Sequence, residues 1–278
     1  MFVVLQIENR KTGLVARARE RFSPDEPRLS KIAVKGGAPF FVLSVRRRRD
    51  GVPWEELQAA AGRGASRILF TTDDRPPERS RLRAFEPRRL PFRAMWNSVA
   101  DVLQKSGVKP SALSIGICDP EGGLCGELTR AVHLAAVVRV ATRKTRLYET
   151  AAEKMMSRYG ASVLVDKEEG FLDGCNVVVK RQEDAAPCCA VISANGFPLP
   201  SPRPSTHPSL LTGEHIALPD DYASLLPANV DETLFACALY ECCSVRAMEK
   251  LRYKRLFLDG KEGSSWNISE KMIEILQN

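Results

Sequence analysis

The feature that most constrains this chain is a rhythm in its centre. Between Leu113 and Ser193, short apolar runs alternate with glycine turns and helix-like segments. Leu113–Cys118 is an apolar run of the kind found in strands buried on both faces of a parallel sheet. Asp119–Gly126 is a glycine-rich turn, and Leu124–Ala135 fits a helix. Val137–Ala141 reads as a second strand. Arg146–Tyr159 reads as a helix with Leu147, Ala151, Met155 and Tyr159 in line and Gly160 as its stop. Ser162–Val165, Asn176–Val179 and Cys189–Ser193 supply three more strands, with a short turn element at Phe171–Cys175. Strands alternating with short helices predict βαβ units with right-handed crossovers. The expected class is therefore α/β, with a mostly parallel sheet.

The turn after the first of these strands carries Gly122, Gly123 and Gly126. A dinucleotide fingerprint places three glycines as G-x-G-x-x-G between a strand and a helix. The first tightens the turn, the second lets the backbone approach a pyrophosphate, and the third lets helix and strand pack closely. Gly123 and Gly126 match the second and third positions. Glu121 stands at the first, and Gly122 offers flexibility one residue later. A helix start attracts phosphate through its free N–H groups. A carboxylate at Glu121, joined by Asp119, opposes that attraction, since like charges ~4 Å apart repel by roughly 1–4 kcal/mol. Two outcomes follow: either the amides cradle a phosphate with Glu121 turned away, or the Glu121 carboxylate occupies the position itself.

The second strand ends in Thr142, Arg143, Lys144 and Thr145. NAD sites place an acidic residue here for the ribose hydroxyls, whereas basic and hydroxyl residues suit the extra phosphate of NADP. A solvated basic turn is an equal reading. On these residues, positions 113–195 resemble the Rossmann-type NADP-binding domains of shikimate dehydrogenase and glutamyl-tRNA reductase. The resemblance covers about a third of the chain. It implies a nucleotide site, with Gly122, Gly123 and Gly126 near the phosphates and Thr142, Arg143 and Lys144 on a ribose phosphate. Asp119 and Asn195 would line the crevice at the carboxyl ends of the strands. No catalytic pair carries over, because residues 1–110 contain no matching Lys/Asp arrangement. Taken whole, the chain also resembles bacterial proteins without an assigned function. The leading expectation is a protein binding NADP or a related nucleotide, acting as an oxidoreductase on an unspecified substrate. The alternative is a non-catalytic, degenerate Rossmann scaffold with a binding or regulatory role.

The remaining segments surround this unit. Phe2–Glu8 is β-rich, Asn9–Gly13 reads as a turn and Leu14–Phe22 alternates, which predicts an antiparallel hairpin. A strand at Phe40–Val45, a helix opened by Pro53 and ended by Gly62 and Gly64, and a strand at Arg67–Thr72 complete a smaller α+β domain. Asp73–Arg89 reads as a long loop, and 92–106 as a helix carrying Phe92, Trp96, Val99 and Leu103, stopped by Gly107. After Asn195-Gly196 a proline-rich loop over 197–209, holding His207, is stiff and extended. Helices are expected over 230–244 and 268–277, with caps at Asn229 and Asn267, and a strand at Arg255–Leu258. The expected division is 1–91, a connecting helix at 92–110, a nucleotide-binding domain at 111–228 and a C-terminal helical return at 229–278.

Charge is uneven. Residues 1–110 carry 23 Lys and Arg against 12 Asp and Glu, while the remaining residues carry 18 against 22. Arginine dominates the excess, notably at Arg46–Arg49, Arg63, Arg67 and between 75 and 93. This admits a further alternative, a nucleic-acid-associated protein acting through the first domain, although no recognition-helix or RNA-binding motif accompanies the arginines. None of the eight cysteines forms a C-x-x-C pair, and the three histidines do not interleave with them at zinc spacing, so no metal is expected. No apolar stretch approaches the ~20 residues of a membrane helix, and no signal-peptide pattern opens the chain. A cytoplasmic protein is expected, with a small-molecule or nucleotide ligand and a homodimer left open.

Overall fold

The structure, a computed structural model, describes residues 1–8, 26–48, 51–181, 188–192 and 209–277. In chain order, β1 (Val3–Glu8), β2 (Arg28–Ile32) and β3 (Phe40–Arg46) precede α1 (Trp54–Ala61) and β4 (Ile68–Phe70). The helix α2 (Arg89–Ser106) leads to β5 (Ser114–Cys118) and a 3-10 turn at Cys125–Glu127. That turn runs into α3 (Leu128–Leu134). Next come β6 (Val137–Ala141), α4 (Thr145–Tyr159), β7 (Val163–Asp166), a 3-10 turn at Glu169–Leu172, and β8 (Val177–Arg181). β9 (Cys188–Ile192) and β10 (Ser209–Glu214) are followed by the short α5 (Asp220–Ala223) and α6 (Glu232–Cys243). β11 (Arg255–Leu258), β12 (Lys261–Gly263) and α7 (Ser265–Gln277) close the described chain. No described helix is long and apolar enough to cross a membrane.

Two compact units result, and each is built from two pieces of sequence. One comprises Met1–Leu90 with Ala217–Glu249, the other Pro91–Ile216 with Lys250–Asn278. The first unit holds a four-stranded sheet in the order β2-β3-β1-β4. β1 pairs in parallel with β3 throughout and with β4 over Val3–Leu5, so it lies between two parallel neighbours. The expected hairpin therefore does not use β1 there as an outer strand, and its second arm at 14–22 lies outside the described residues. β2 is antiparallel to β3. It had no signal in the sequence, because Arg28–Ile32 carries only Leu29 and Ile32 as apolar residues and is exposed along nearly its whole length. Val3, Leu5, Leu43, Val45, Leu57 and Ile68 form one buried cluster. Phe2, Phe40 and Phe235 form another contact, with Phe2 and Phe40 stacked at 4.9 Å and Phe235 edge-on to both.

The second unit holds an eight-stranded sheet in the order β12-β11-β10-β9-β8-β5-β6-β7. β7, β6, β5 and β8 are parallel, and the order doubles back at β5, as in a Rossmann-like fold. From β8 onward each neighbouring pair is antiparallel, so the other half of the sheet is a meander. The sheet is α/β in character, with its parallel order confined to four strands. All five residues of β5 are buried, as its apolar run required. The main core joins Ile115, Ile117, Val138, Val140, Val177 and Val179 to residues of the flanking helices, including Trp96 and Leu128.

Several local expectations shift. In α4 the buried face is Tyr148 with Met155, while Leu147 and Tyr159 are 49% and 41% exposed. Met155 of the expected stripe is buried, so the face is turned by only about 30° around the helix, away from Leu147 and toward Tyr148. The cap of α6 is Asp231, whose carboxylate accepts the Leu234 amide at 2.8 Å. Asn229 instead adopts a left-handed backbone at φ 62°. The start of α7 is capped by Ser264, which accepts the Asn267 amide at 3.2 Å, rather than by Asn267. β10 was hidden behind the proline-rich stretch.

Candidate functional site

The carboxyl ends of β5, β6 and β7 are laced together by one polar chain. The Asp119 amide donates to the Ala141 carbonyl at 2.9 Å, and the Thr142 amide donates to the Asp166 carbonyl at 2.8 Å. The Thr142 hydroxyl donates to the Asp119 carbonyl at 2.6 Å and accepts the Lys144 amide at 3.0 Å. Thr142 is 2% exposed. Its hydroxyl is therefore spent on the main chain, while Arg143 and Lys144 beside it are exposed.

Asp119 is the first residue beyond β5, and its side chain turns back into the glycine turn. One carboxylate oxygen accepts the Gly122 amide at 3.0 Å. The other accepts the Leu124 amide at 2.8 Å and the Tyr148 hydroxyl at 2.5 Å. The residue is 2% exposed. Burial, followed by the neighbouring Asp119 charge, pushes the Tyr148 phenol far above its usual range, so it acts as a donor and not as an acid.

The same turn is braced from α2. Arg93 donates to the Gly123 carbonyl at 3.2 Å and to the Glu127 carboxylate at 3.0 Å. Trp96 donates to the other Glu127 oxygen at 3.3 Å. Asp119 thus takes two amides of the turn while Arg93 donates to a carbonyl between them.

The glycines play different parts from those of a dinucleotide fingerprint. Gly122 has φ 79°, and a Cβ there would come within 2.9 Å of a Leu147 methyl. Gly123 would meet nothing nearer than an Asp119 oxygen at 4.0 Å, and Gly126 would meet nothing within 4 Å. Gly126 is therefore not held by close helix packing. The position that needs glycine is Gly122, where the backbone is left-handed.

The structure follows neither expected outcome in full. The carboxylate in the turn belongs to Asp119, while Glu121 is exposed. Asp119 was expected to line a crevice; its carboxylate turns back onto the Gly122 and Leu124 amides. A dinucleotide pyrophosphate needs turn amides that Asp119 already holds, so in this arrangement the residues do not fit one. Asn195 lies outside the described residues, as do Ser193 and the loop carrying His207. β9 runs antiparallel to β8, with Ile192 opposite Val177, so its carboxyl end is at the sheet edge away from the glycine turn. The crevice envisaged there assumed a parallel fifth strand.

Sequence reasoning missed Tyr148, Arg93, Trp96, Glu127 and Glu169. Glu169 lies at the same edge and accepts a hydrogen bond from the Cys118 thiol at 2.9 Å. Burial, then the Glu169 carboxylate, pushes that thiol up to about 12, which keeps it protonated and unreactive. Tyr148 had a usable signal: an apolar ring with a polar tip, one position from the assumed buried face. Among the described residues, no group of three or more His, Cys, Asp and Glu side chains could hold a metal.

The arginine run of the first unit is also neutralised. Arg46 faces Glu8 at 3.7 Å, Arg47 pairs with Asp74, and Arg48 grips Glu56 in a two-pronged contact at 2.6 and 2.7 Å. Arg49 lies outside the described residues.

No family model matches the chain, and no curated protein matches it. Among solved structures, L-tryptophan dehydrogenase from Nostoc punctiforme is similar at 14% identity with a TM-score of 0.21. The match covers 60% of this chain and 53% of that one, so the chain spans about half of the dehydrogenase. At that level the likeness carries no argument about function. The conclusion stands on geometry: an α/β protein with a Rossmann-like parallel half, whose glycine turn is tied to its own carboxylate.

Proposed function

We propose that this chain is a non-catalytic, degenerate Rossmann-like scaffold with a binding role, and not a nicotinamide-dependent oxidoreductase. The observation that carries this reading is the buried Asp119 carboxylate on the Gly122 and Leu124 amides. Binding a pyrophosphate would mean displacing a buried carboxylate that already has three donors, including Tyr148. Hydrogen bonds to charged groups are worth about 1.5–3 kcal/mol each. An incoming phosphate must replace all of them before it gains anything.

The reading that retains NADP rests on the exposed Arg143 and Lys144 at the start of α4. It lacks the Thr142 hydroxyl, which serves the Asp119 carbonyl. Thermal denaturation with NADP, NAD and no ligand separates the two. At a hundredfold excess over Kd a true ligand stabilises by about 2.7 kcal/mol. The scaffold reading expects no shift with either nucleotide. A saturable shift with NADP, abolished by Arg143→Ala/Lys144→Ala, would overturn it.

A further inference from the structure

We infer that the first unit binds the phosphate backbone of duplex nucleic acid through a second arginine surface, made by Arg63, Arg67, Arg79, Arg81 and Arg83. All five are exposed. They lie on two segments that the main chain staples together. The Arg83 amide donates to the Ala65 carbonyl at 2.7 Å, the Ile68 amide to the Arg83 carbonyl at 3.0 Å, and the Phe85 amide to the Ile68 carbonyl at 2.8 Å. Residues 83–85 thus run alongside β4, with Ala84 bridged in parallel to Ile68. Gln58 of α1 accepts the Arg81 amide at 2.7 Å and fixes the other end. The cations are carried on a tethered backbone and not on a free loop.

Arg46–Arg48 differ from these five. Those three are matched to Glu8, Asp74 and Glu56. Among the described residues, none of the five takes part in an ion pair; one Arg83 nitrogen donates to the Ser80 and Leu82 carbonyls at 2.5 and 3.1 Å, and one Arg67 nitrogen to the Cys242 sulfur at 4.0 Å. Arg79, Arg81 and Arg83 alternate with Ser80 and with Leu82, which is 1% exposed.

The chemistry of the surface selects the partner. Every cation is a guanidinium, whose planar fork matches phosphate oxygens in pairs. The apolar residue between them is buried, so no side chain of the 79–83 segment is available to enter a lipid interface. The nearby Phe70 ring already lies under Arg75 at 5.6 Å, so it offers no free face to an unpaired base. A cationic surface without an aromatic platform suits the sequence-independent backbone of a duplex.

Fluorescence anisotropy of the full chain with labelled duplex DNA and, separately, duplex RNA tests the inference across a salt series. Four to five phosphate contacts predict a loss of roughly 10²–10³-fold in affinity between about 50 and about 200 mM salt. Arg81→Gln/Arg83→Gln should make the log–log salt slope shallower by about 2. Arg81→Lys/Arg83→Lys should largely restore it, while Arg47→Gln/Arg48→Gln should leave it unchanged. Should the glutamine pair fail to fold, as judged by circular dichroism, Arg63→Gln/Arg79→Gln reads the same surface. Binding to either duplex with these slopes supports the inference, and the tighter duplex names the source. No duplex binding at low salt would overturn it. So would a slope untouched by the surface variants, or binding to phosphatidylserine vesicles in place of duplexes.

Discussion

Two carboxylates in this protein do the same chemical job at different reach. Asp119 accepts the amides of Gly122 and Leu124, three and five residues along its own chain. Glu241, on α6, accepts the amides of Arg88, Arg89 and Leu90 at 2.8, 2.7 and 3.2 Å, across some 150 residues of sequence. Glu241 satisfies N–H groups that the start of α2 leaves without partners, and Asp119 does the same for amides of the turn that precedes α3. The distant carboxylate ties the start of α2 to a later part of the first unit. The local one closes the glycine turn, where a related fold would admit an anion. A turn of the right outline is therefore no evidence of a ligand until its amides have been followed to their acceptors.

The strongest way to break this comparison is to remove the local carboxylate. Asp119→Ala leaves the Leu124 amide and the Tyr148 hydroxyl without their acceptor in a buried place, while the Gly122 amide keeps the Asp119 carbonyl at 3.3 Å, and should cost about 2–4 kcal/mol by urea denaturation. Asp119→Asn keeps the shape and one acceptor oxygen, so it should fall between wild type and alanine. A loss below about 1 kcal/mol for Asp119→Ala would mean that the turn holds its form without the carboxylate.

Glu241→Ala should have the second largest effect, about 1–3 kcal/mol, because its amides lie nearer to solvent and water can replace some of the contacts. Amide hydrogen exchange at Arg88–Leu90 sharpens the measurement. Faster exchange there, with Gly122 and Leu124 unchanged, is the expected pattern.

The difference in reach also explains what the sequence could disclose. β5 was legible because all five of its residues are buried, so the apolar run left a plain signature. Gly160 was legible as the stop of α4, since its left-handed backbone at φ 64° is a property of one residue type. The turn between Asp119 and Gly126 was legible in outline only. Its glycines marked a bend, but which carboxylate turned inward depended on χ angles and on Tyr148, which spacing does not encode. The direction of β9 was illegible because an apolar strand reads alike in parallel and antiparallel sheets. Glu241 was out of reach altogether, since nothing local links it to Arg88.

The third effect belongs to Gly122. Alanine there meets a positive φ of 79° and the Leu147 methyl at 2.9 Å. Leu147 is 49% exposed and can move aside, so the cost is mainly backbone strain, about 1–2 kcal/mol.

Gly126→Ala should have the smallest effect, and it separates the two readings of the turn most sharply. In a dinucleotide site the third glycine lets the helix approach its strand, so a methyl group there should disturb both packing and binding. Here a Cβ meets nothing within 4 Å, and the backbone at Gly126 is not left-handed. The residue lies inside the 3-10 turn that runs into α3. Replacing glycine by alanine in helical backbone removes conformational freedom from the unfolded chain, worth up to about 0.5–1 kcal/mol in favour of the fold. Gly126→Ala should therefore be neutral or slightly stabilising in a thermal melt. A loss of more than about 1 kcal/mol would point to a packing demand at Gly126 of the kind a dinucleotide fold imposes, and would reopen the turn as a ligand site.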